Sequence, residues 1–192
     1  IYANDGISMS MPRCHPFIYS FSSFKKDLVM CMKIGVIADT HDNLGAISEA
    51  VEIFNREGVE MVIHAGDFVA PFTEKPLRAL KAPLIGVFGN NDGDKLLLSR
   101  KYHEKGVGEL YEDPYKLEIA KKQVIVTHKP GLVPALAAYY DVVIYGHTHK
   151  GVIEQEGNTL VVNPGECCGY LTGKRTVAIL DLARWEAEML EF

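Results

Sequence analysis

Short apolar runs ending in polar, glycine-rich tips set the pattern of this chain. Residues 33–38, 59–65, 83–88, 123–127 and 141–145 each read as a buried strand. After the first run, Leu44, Ile47, Val51 and Phe54 recur at helical spacing, with Asp42 or Asn43 as a cap and Gly58 as a stop. A short helix is expected around 73–80 and a longer one over 94–105. The resulting order, βαβαβα, predicts parallel strands joined by right-handed crossovers.

Past Gly108 the pattern changes. Residues 115–120 and 123–127 flank Lys121-Lys122, read as a two-residue hairpin turn. A short helix is expected over 132–140. A second hairpin places 151–155 and 159–162 around Glu156-Gly157-Asn158, with 163–166 as a loop, and 176–181 with 186–191 forms a last hairpin. The mixture predicts an α/β (mixed α+β) fold: two mixed β-sheets packed face to face as a sandwich, with helices outside. Residues 32–192 are expected to form one domain. Residues 1–31 carry Ser, Pro and scattered aromatics without a steady period. They lack the pattern of a signal peptide and are read as an upstream extension outside the catalytic fold.

Composition narrows the function. A formal charge of -5 argues against a broad basic face for duplex nucleic acid. None of the four cysteines forms a C-x-x-C pair, and the vicinal Cys167-Cys168 reads as two small buried residues rather than a redox pair. A chain without a disulfide framework fits the cytoplasm. No apolar stretch reaches transmembrane length.

The chemistry lies in the tips: Asp39-Thr40-His41, Gly66-Asp67, Gly89-Asn90-Asn91-Asp92, His128 and Gly146-His147-Thr148-His149. A single histidine at a strand end is more often structural than a ligand. Here each tip follows its own apolar run, and ligands of open α/β sheets bind beyond the carboxyl ends of strands. Asp39, His41, Asp67, Asn90, His128, His147 and His149 are therefore the candidate metal ligands. That is more than one ion with an open position takes. It suits two ions sharing one carboxylate at about 3.5–4 Å, the separation used for in-line displacement at phosphorus. Oxygen and imidazole without thiolate favour Mn, Fe, Zn, Ni or Co over Ca. Gly66, Gly89 and Gly146 each precede a ligand, where sharp backbone turns are expected. His64 reads as a core or supporting histidine, and His103 as an exposed helix residue.

The ordered series of five tips resembles the calcineurin-like metallophosphoesterase superfamily over nearly all of residues 32–192. Within it, the compact size and the Asn-Asn-Asp form resemble the small phosphodiesterases of the YfcE/MJ0936 type. The resemblance implies that Asp39, His41 and His149 hold one ion, that Asn90, His128 and His147 hold the other, and that Asp67 bridges both. It implies a bridging water, deprotonated between the cations, as the nucleophile, with the ions neutralising charge on the phosphoryl oxygens. Two divalent ions are implied, manganese first, with Ni, Fe, Zn or Co as alternatives. Asp92 is expected to orient a ligand histidine, and Gly165 and Glu166 to shape the rim. Asn91 stands where many relatives carry a histidine that protonates the leaving oxygen. An amide donates a hydrogen bond but is no general acid. Catalysis should then favour leaving groups that need little protonation, or draw the proton from a metal-bound water. The implied function is a metal-dependent phosphodiesterase acting on a small phosphodiester or nucleotide-like substrate. No dedicated nucleic-acid domain and no membrane partner are expected, and a homo-oligomer is suggested only by analogy. Two alternatives remain. One is a protein-binding scaffold like the retromer subunit of the same superfamily, disfavoured by the complete ligand set. The other is a nuclease, disfavoured by the acidic charge.

Overall fold

The computed structural model describes residues 32–192. The expected upstream extension, 1–31, lies outside the described residues. In chain order the first half runs β1 (Lys33–Ile37), α1 (Leu44–Glu57), β2 (Met61–His64), α2 (Glu74–Leu77), β3 (Leu84–Val87), α3 (Lys95–Glu104) and β4 (Gly108–Tyr111). The second half runs β5 (Tyr115–Ile119), β6 (Lys122–Thr127), α4 (Val133–Ala137), β7 (Val142–Tyr145), β8 (Gly151–Glu156), β9 (Thr159–Pro164), β10 (Thr176–Asp181) and β11 (Glu186–Glu191). One sheet has the order β11-β10-β1-β2-β3-β4 and the other β5-β6-β7-β9-β8.

Period-two burial explains the layers. Ile34, Val36 and Ala38 point into a core shared with Val124, Val126, Val142, Ile144, Leu160 and Val162 of the second sheet. The alternate residues Ile125, Val143 and Val161 face outward and pack with Val133 of α4. Ile37 and Val62 face α1 through Ile47, Val51 and Phe54. The strand alternation and the helical repeat thus give the expected sandwich between helices. Each such side chain, fully buried, contributes about 1.5–3 kcal/mol.

Local chemistry sets the element ends. Asn43 caps α1 by accepting from the Ala46 N–H at 3.2 Å, and Gly58 ends it in the left-handed region at φ 66°. Asp94 caps α3 through the Leu97 N–H at 2.9 Å. Three expectations need correction. β4 was not anticipated: it is an edge strand pairing with β3, and its polar, half-exposed sequence carries no apolar run. The β5–β6 turn is Ala120-Lys121, both at positive φ (50° and 65°), while Lys122 pairs with Ile119 inside the ladder. That turn twists with the strands, and it leaves the Lys122 ammonium 4.4 Å from the Trp185 ring. Asn163 and Pro164 belong to β9 rather than to a loop. No helix among the described residues is long and apolar enough to cross a membrane.

β1, β2 and β3 are mutually parallel, as are β6, β7 and β9. Their carboxyl ends deliver the five tips to one edge of the sandwich.

Candidate metal centre

The segments after β1 and β2 run side by side. The Asp39 N–H donates to the Gly66 carbonyl at 3.0 Å, and the Thr40 and His41 N–H groups both reach the Asp67 carbonyl at 3.1 Å. Asp39, His41, Asp67, His147 and His149 all sit at positive φ, between 37° and 73°. Side-chain-bearing residues rarely adopt this conformation, which costs on the order of 1 kcal/mol or more apiece. Such turns are how a strand end redirects a ligand across the sheet edge.

Glycines permit the approach. A Cβ on Gly89 would stand 2.2 Å from Asp67 Oδ1 and 2.5 Å from Asp67 N. At Gly66, with φ +100°, a Cβ would stand 2.6 Å from His128 Nδ1. Of the three tip glycines, Gly66 alone has a positive φ. Gly89 and Gly146 are needed for close passage instead.

The side chains converge in two overlapping groups. In the first, Asp39 Oδ1 lies 3.6 Å from His149 Nε2 and 3.9 Å from His41 Nε2. In the second, His128 Nε2 lies 3.1 Å from Asn90 Oδ1, which is 2.8 Å from His147 Nδ1. Asp67 links them: its Oδ2 is 3.5 Å from His41 Nε2 and 3.3 Å from His128 Nε2. All seven expected ligands meet here. Asp39–His41–His149 and Asp39–Asp67–His128 each present ligand atoms close enough together to hold one cation.

A metal ion answers a specific deficit. Asp39 Oδ1 and His41 Nε2 are buried without a hydrogen-bond partner. Buried polar atoms are rarely left so, and a divalent cation between them would satisfy both. Electrostatics agrees. Burial pushes the Asp39 carboxyl up to about 6, although His128 and His149 pull it back. Burial would also raise Asp67, but bonds from His128 and Asn91 hold it well below the usual carboxylate range. Burial opposes a charged His128, yet its bond to Asp67 wins and raises its pKa.

A second ring of contacts fixes the first. His128 Nδ1 donates to the Ala65 carbonyl at 2.7 Å, aiming Nε2 inward. Buried His64 accepts from the Gly66 N–H at 3.1 Å through Nδ1, so its Nε2–H donates to Thr40 Oγ1 at 3.1 Å. That makes it a supporting histidine, as anticipated. Asp92 differs from its expected part. Its carboxylate receives the backbone N–H groups of Gly89 (2.6 Å), Val69 (2.7 Å) and Asp67 (3.2 Å). It clamps two tips together instead of orienting a ligand histidine. Asn91 donates its backbone N–H to Asp67 Oδ1 at 2.8 Å and its amide to Oδ2 at 2.7 Å.

Glu166, expected at the rim, is fully buried and its Oε2 lies 2.7 Å from His149 Nδ1. Only its place just past β9, a strand that ends beside the site, hinted at this contact. Despite burial, bonds from Thr172 and His149 draw its carboxyl down to about 2. Cys167 and Cys168 are buried free thiols, and burial pushes Cys168 up to about 12. A cleft of about 420 Å³ opens from Asn90, His128 and His147 and is edged by Lys95 and Lys129.

Residues 32–184 match the calcineurin-like phosphoesterase superfamily domain. The chain is 46% identical over 159 residues to phosphodiesterase MJ0936 of Methanocaldococcus jannaschii, covering 81% of this chain and 96% of that protein. A solved archaeal phosphodiesterase superposes with a TM-score of 0.78 at 43% identity, covering 84% of this chain and all (100%) of that one. Phosphodiesterase YfcE of Escherichia coli is 28% identical over 145 residues, 70% of this chain and 78% of that protein.

Proposed function

Since the chain belongs to the calcineurin-like phosphoesterase superfamily, we propose that it is a metal-dependent phosphodiesterase with a dinuclear centre, residues 32–192 forming the catalytic unit. The observation that carries this is the shared carboxylate. Asp67 reaches both groups of ligands, at 3.5 Å and 3.3 Å, while Asp39 Oδ1 and His41 Nε2 lack partners. In this reading Asp39, His41 and His149 hold one ion, Asn90, His128 and His147 the other, and Asp67 bridges. When bound, such ions would supply a more acidic water as nucleophile near neutral pH and would neutralise charge developing at phosphorus. Manganese is proposed first because the ligands are oxygen and imidazole.

The chain's own residues do the rest. The backbone bonds around Asp92 hold Asp67 between the two groups before any substrate arrives. Preorganisation of this kind avoids rearrangement in the transition state. Asn91 restrains both oxygens of Asp67 and offers no proton. Lys129, paired with Asp113 at 3.3 Å, and Lys95, paired with Glu112 at 3.6 Å, line the cleft beside the proposed ligands. The cleft's volume of about 420 Å³ favours a small phosphodiester or a nucleotide-like substrate.

Purified protein with Mn²⁺ should hydrolyse bis-p-nitrophenyl phosphate. His147→Ala should abolish this while the circular dichroism spectrum stays native. Full activity in that variant would remove His147 from the site. An inactive wild type that takes up no metal would return the chain to the scaffold reading.

A further inference from the structure

Glu166 has no metal-facing role in the reading above, yet it is the best-bonded carboxylate beside the site. It is fully buried. Oε1 accepts from the Thr172 N–H, from Thr172 Oγ1 at 2.6 Å and from the Leu171 N–H at 3.1 Å. Oε2 accepts from the same Leu171 N–H at 3.1 Å, from Cys168 Sγ at 3.3 Å and from His149 Nδ1 at 2.7 Å. Every one of these partners except the imidazole is on the segment just after Glu166. That segment is itself pinned to the β1 tip, where the Cys167 N–H meets the Ala38 carbonyl at 3.0 Å and the Cys168 N–H meets the Asp39 carbonyl at 3.1 Å.

We propose that Glu166 is the positioning residue for His149: it fixes the ring's tautomer and aim, so that the Nε2 lone pair faces Asp39 Oδ1. The proposal rests on the reading of His149 as a metal ligand. A carboxylate can only accept, so Nδ1 must carry the hydrogen and Nε2 is left free. Histidine ligands are held in this way by carboxylates behind them, and loss of such a partner typically lowers metal affinity about 10–100-fold. The other histidine of the strand tip, His147, presents Nδ1 to Asn90 at 2.8 Å instead. The two histidines of Gly146–His149 therefore offer different nitrogens, and Glu166 accounts for the difference at His149.

Glutamine separates positioning from shape. Turned with its oxygen toward Thr172, a glutamine at 166 would place its NH₂ against His149 Nδ1. The ring must then accept there and carry its hydrogen on Nε2, the nitrogen needed by the cation. Turned the other way, the NH₂ would oppose the Leu171 and Thr172 N–H groups. No orientation serves both.

The test is calorimetric titration of the chelator-treated full chain with Mn²⁺, paired with ¹⁵N NMR of its imidazoles before metal addition. Wild type should take up two ions and show hydrogen on His149 Nδ1. Glu166→Gln should bind at one position as wild type does and at the other about 10–100-fold more weakly, with His149 moved toward the Nε2–H form. Thr172→Val removes one anchor of the carboxylate but leaves its other oxygen on the ring, and His149 should keep its hydrogen on Nδ1; a shift to Nε2–H there would overturn the role of the Glu166–His149 bond. Two ions bound by Glu166→Gln with wild-type affinity would overturn the positioning role while leaving the metal site standing. A wild type with hydrogen on His149 Nε2 would overturn it without any variant. A wild type that takes up no Mn²⁺ would sink the metal reading itself, and this proposal with it.

Discussion

Asp39→Asn should make the metal-free protein more stable as the pH rises, although it removes a ligand. Asp39 is completely buried, and burial moves its carboxyl from the ordinary 3.8 up to about 6. The folded value lies above the unfolded one. The protonated group's contribution is therefore fully present below pH 3.8 and is lost as the pH rises through about 6. The interval corresponds to about 3 kcal/mol, a large share of the roughly 5–15 kcal/mol that holds a domain together. Asparagine has the same outline, keeps an oxygen for the His147 N–H that Asp39 accepts at 3.0 Å, and does not ionise. The wild-type curve alone does not isolate this effect. His64 and His41, both lowered chiefly by burial, make stability rise with pH over part of the same window. The difference between variant and wild type is the observable.

Urea unfolding followed by circular dichroism, in chelator, at intervals between pH 4 and 7, measures it. The variant should gain about 2 kcal/mol of that interval on the wild type across this range, because the unfolded carboxyl is already more than half ionised at pH 4. Added Mn²⁺ should reverse the order at pH 7, because only the wild type retains the full ligand set and binding stabilises the folded state by mass action. A separation independent of pH, or a wild type that gains on the variant as the pH rises, would refute the argument from burial.

Three further outcomes follow from particular contacts. Gly89→Ala, whose Cβ would stand 2.2 Å from Asp67 Oδ1, should lose about 1–3 kcal/mol and most of its metal uptake. Wild-type denaturation and calorimetric curves would contradict this. Asn91→His should raise turnover on esters with poor leaving groups and change p-nitrophenyl esters little. A wild-type rate independent of leaving-group pKa would remove the basis for that expectation. Tyr102→Phe deletes a buried hydroxyl 2.8 Å from Thr73 Oγ1. It should lower stability by about 1 kcal/mol without altering metal affinity, as thermal melting and calorimetry would show.

The meeting of the seven proposed ligands was legible in the sequence because strand-forming runs announce where they stop, and parallel strands must bring their carboxyl ends to one edge. Asp39, Asp67 and His147 needed no long-range information beyond that. Partners of the ligands were harder. Asp92 follows Asn90 by two residues, but its contacts are backbone amides at Asp67 and Val69, and a sequence does not display an amide's direction. Glu166 meets a histidine 17 residues earlier across a hairpin whose register decides the meeting. β4 was silent because an edge strand needs no second apolar face. The visible and hidden residues divide along a physical line. Ligands must be of a few chemical types at the ends of apolar runs, whereas the groups that hold them need only be acceptors in the right place. Five tip residues at positive φ, a carboxyl raised by burial and two unpartnered atoms all weaken the metal-free fold. Asp92 and Glu166, each gathering several donors, work against that weakness. Their loss should therefore loosen the ligand geometry well before it unfolds the sandwich, whose core between the sheets is built from apolar side chains of β1, β6, β7 and β9.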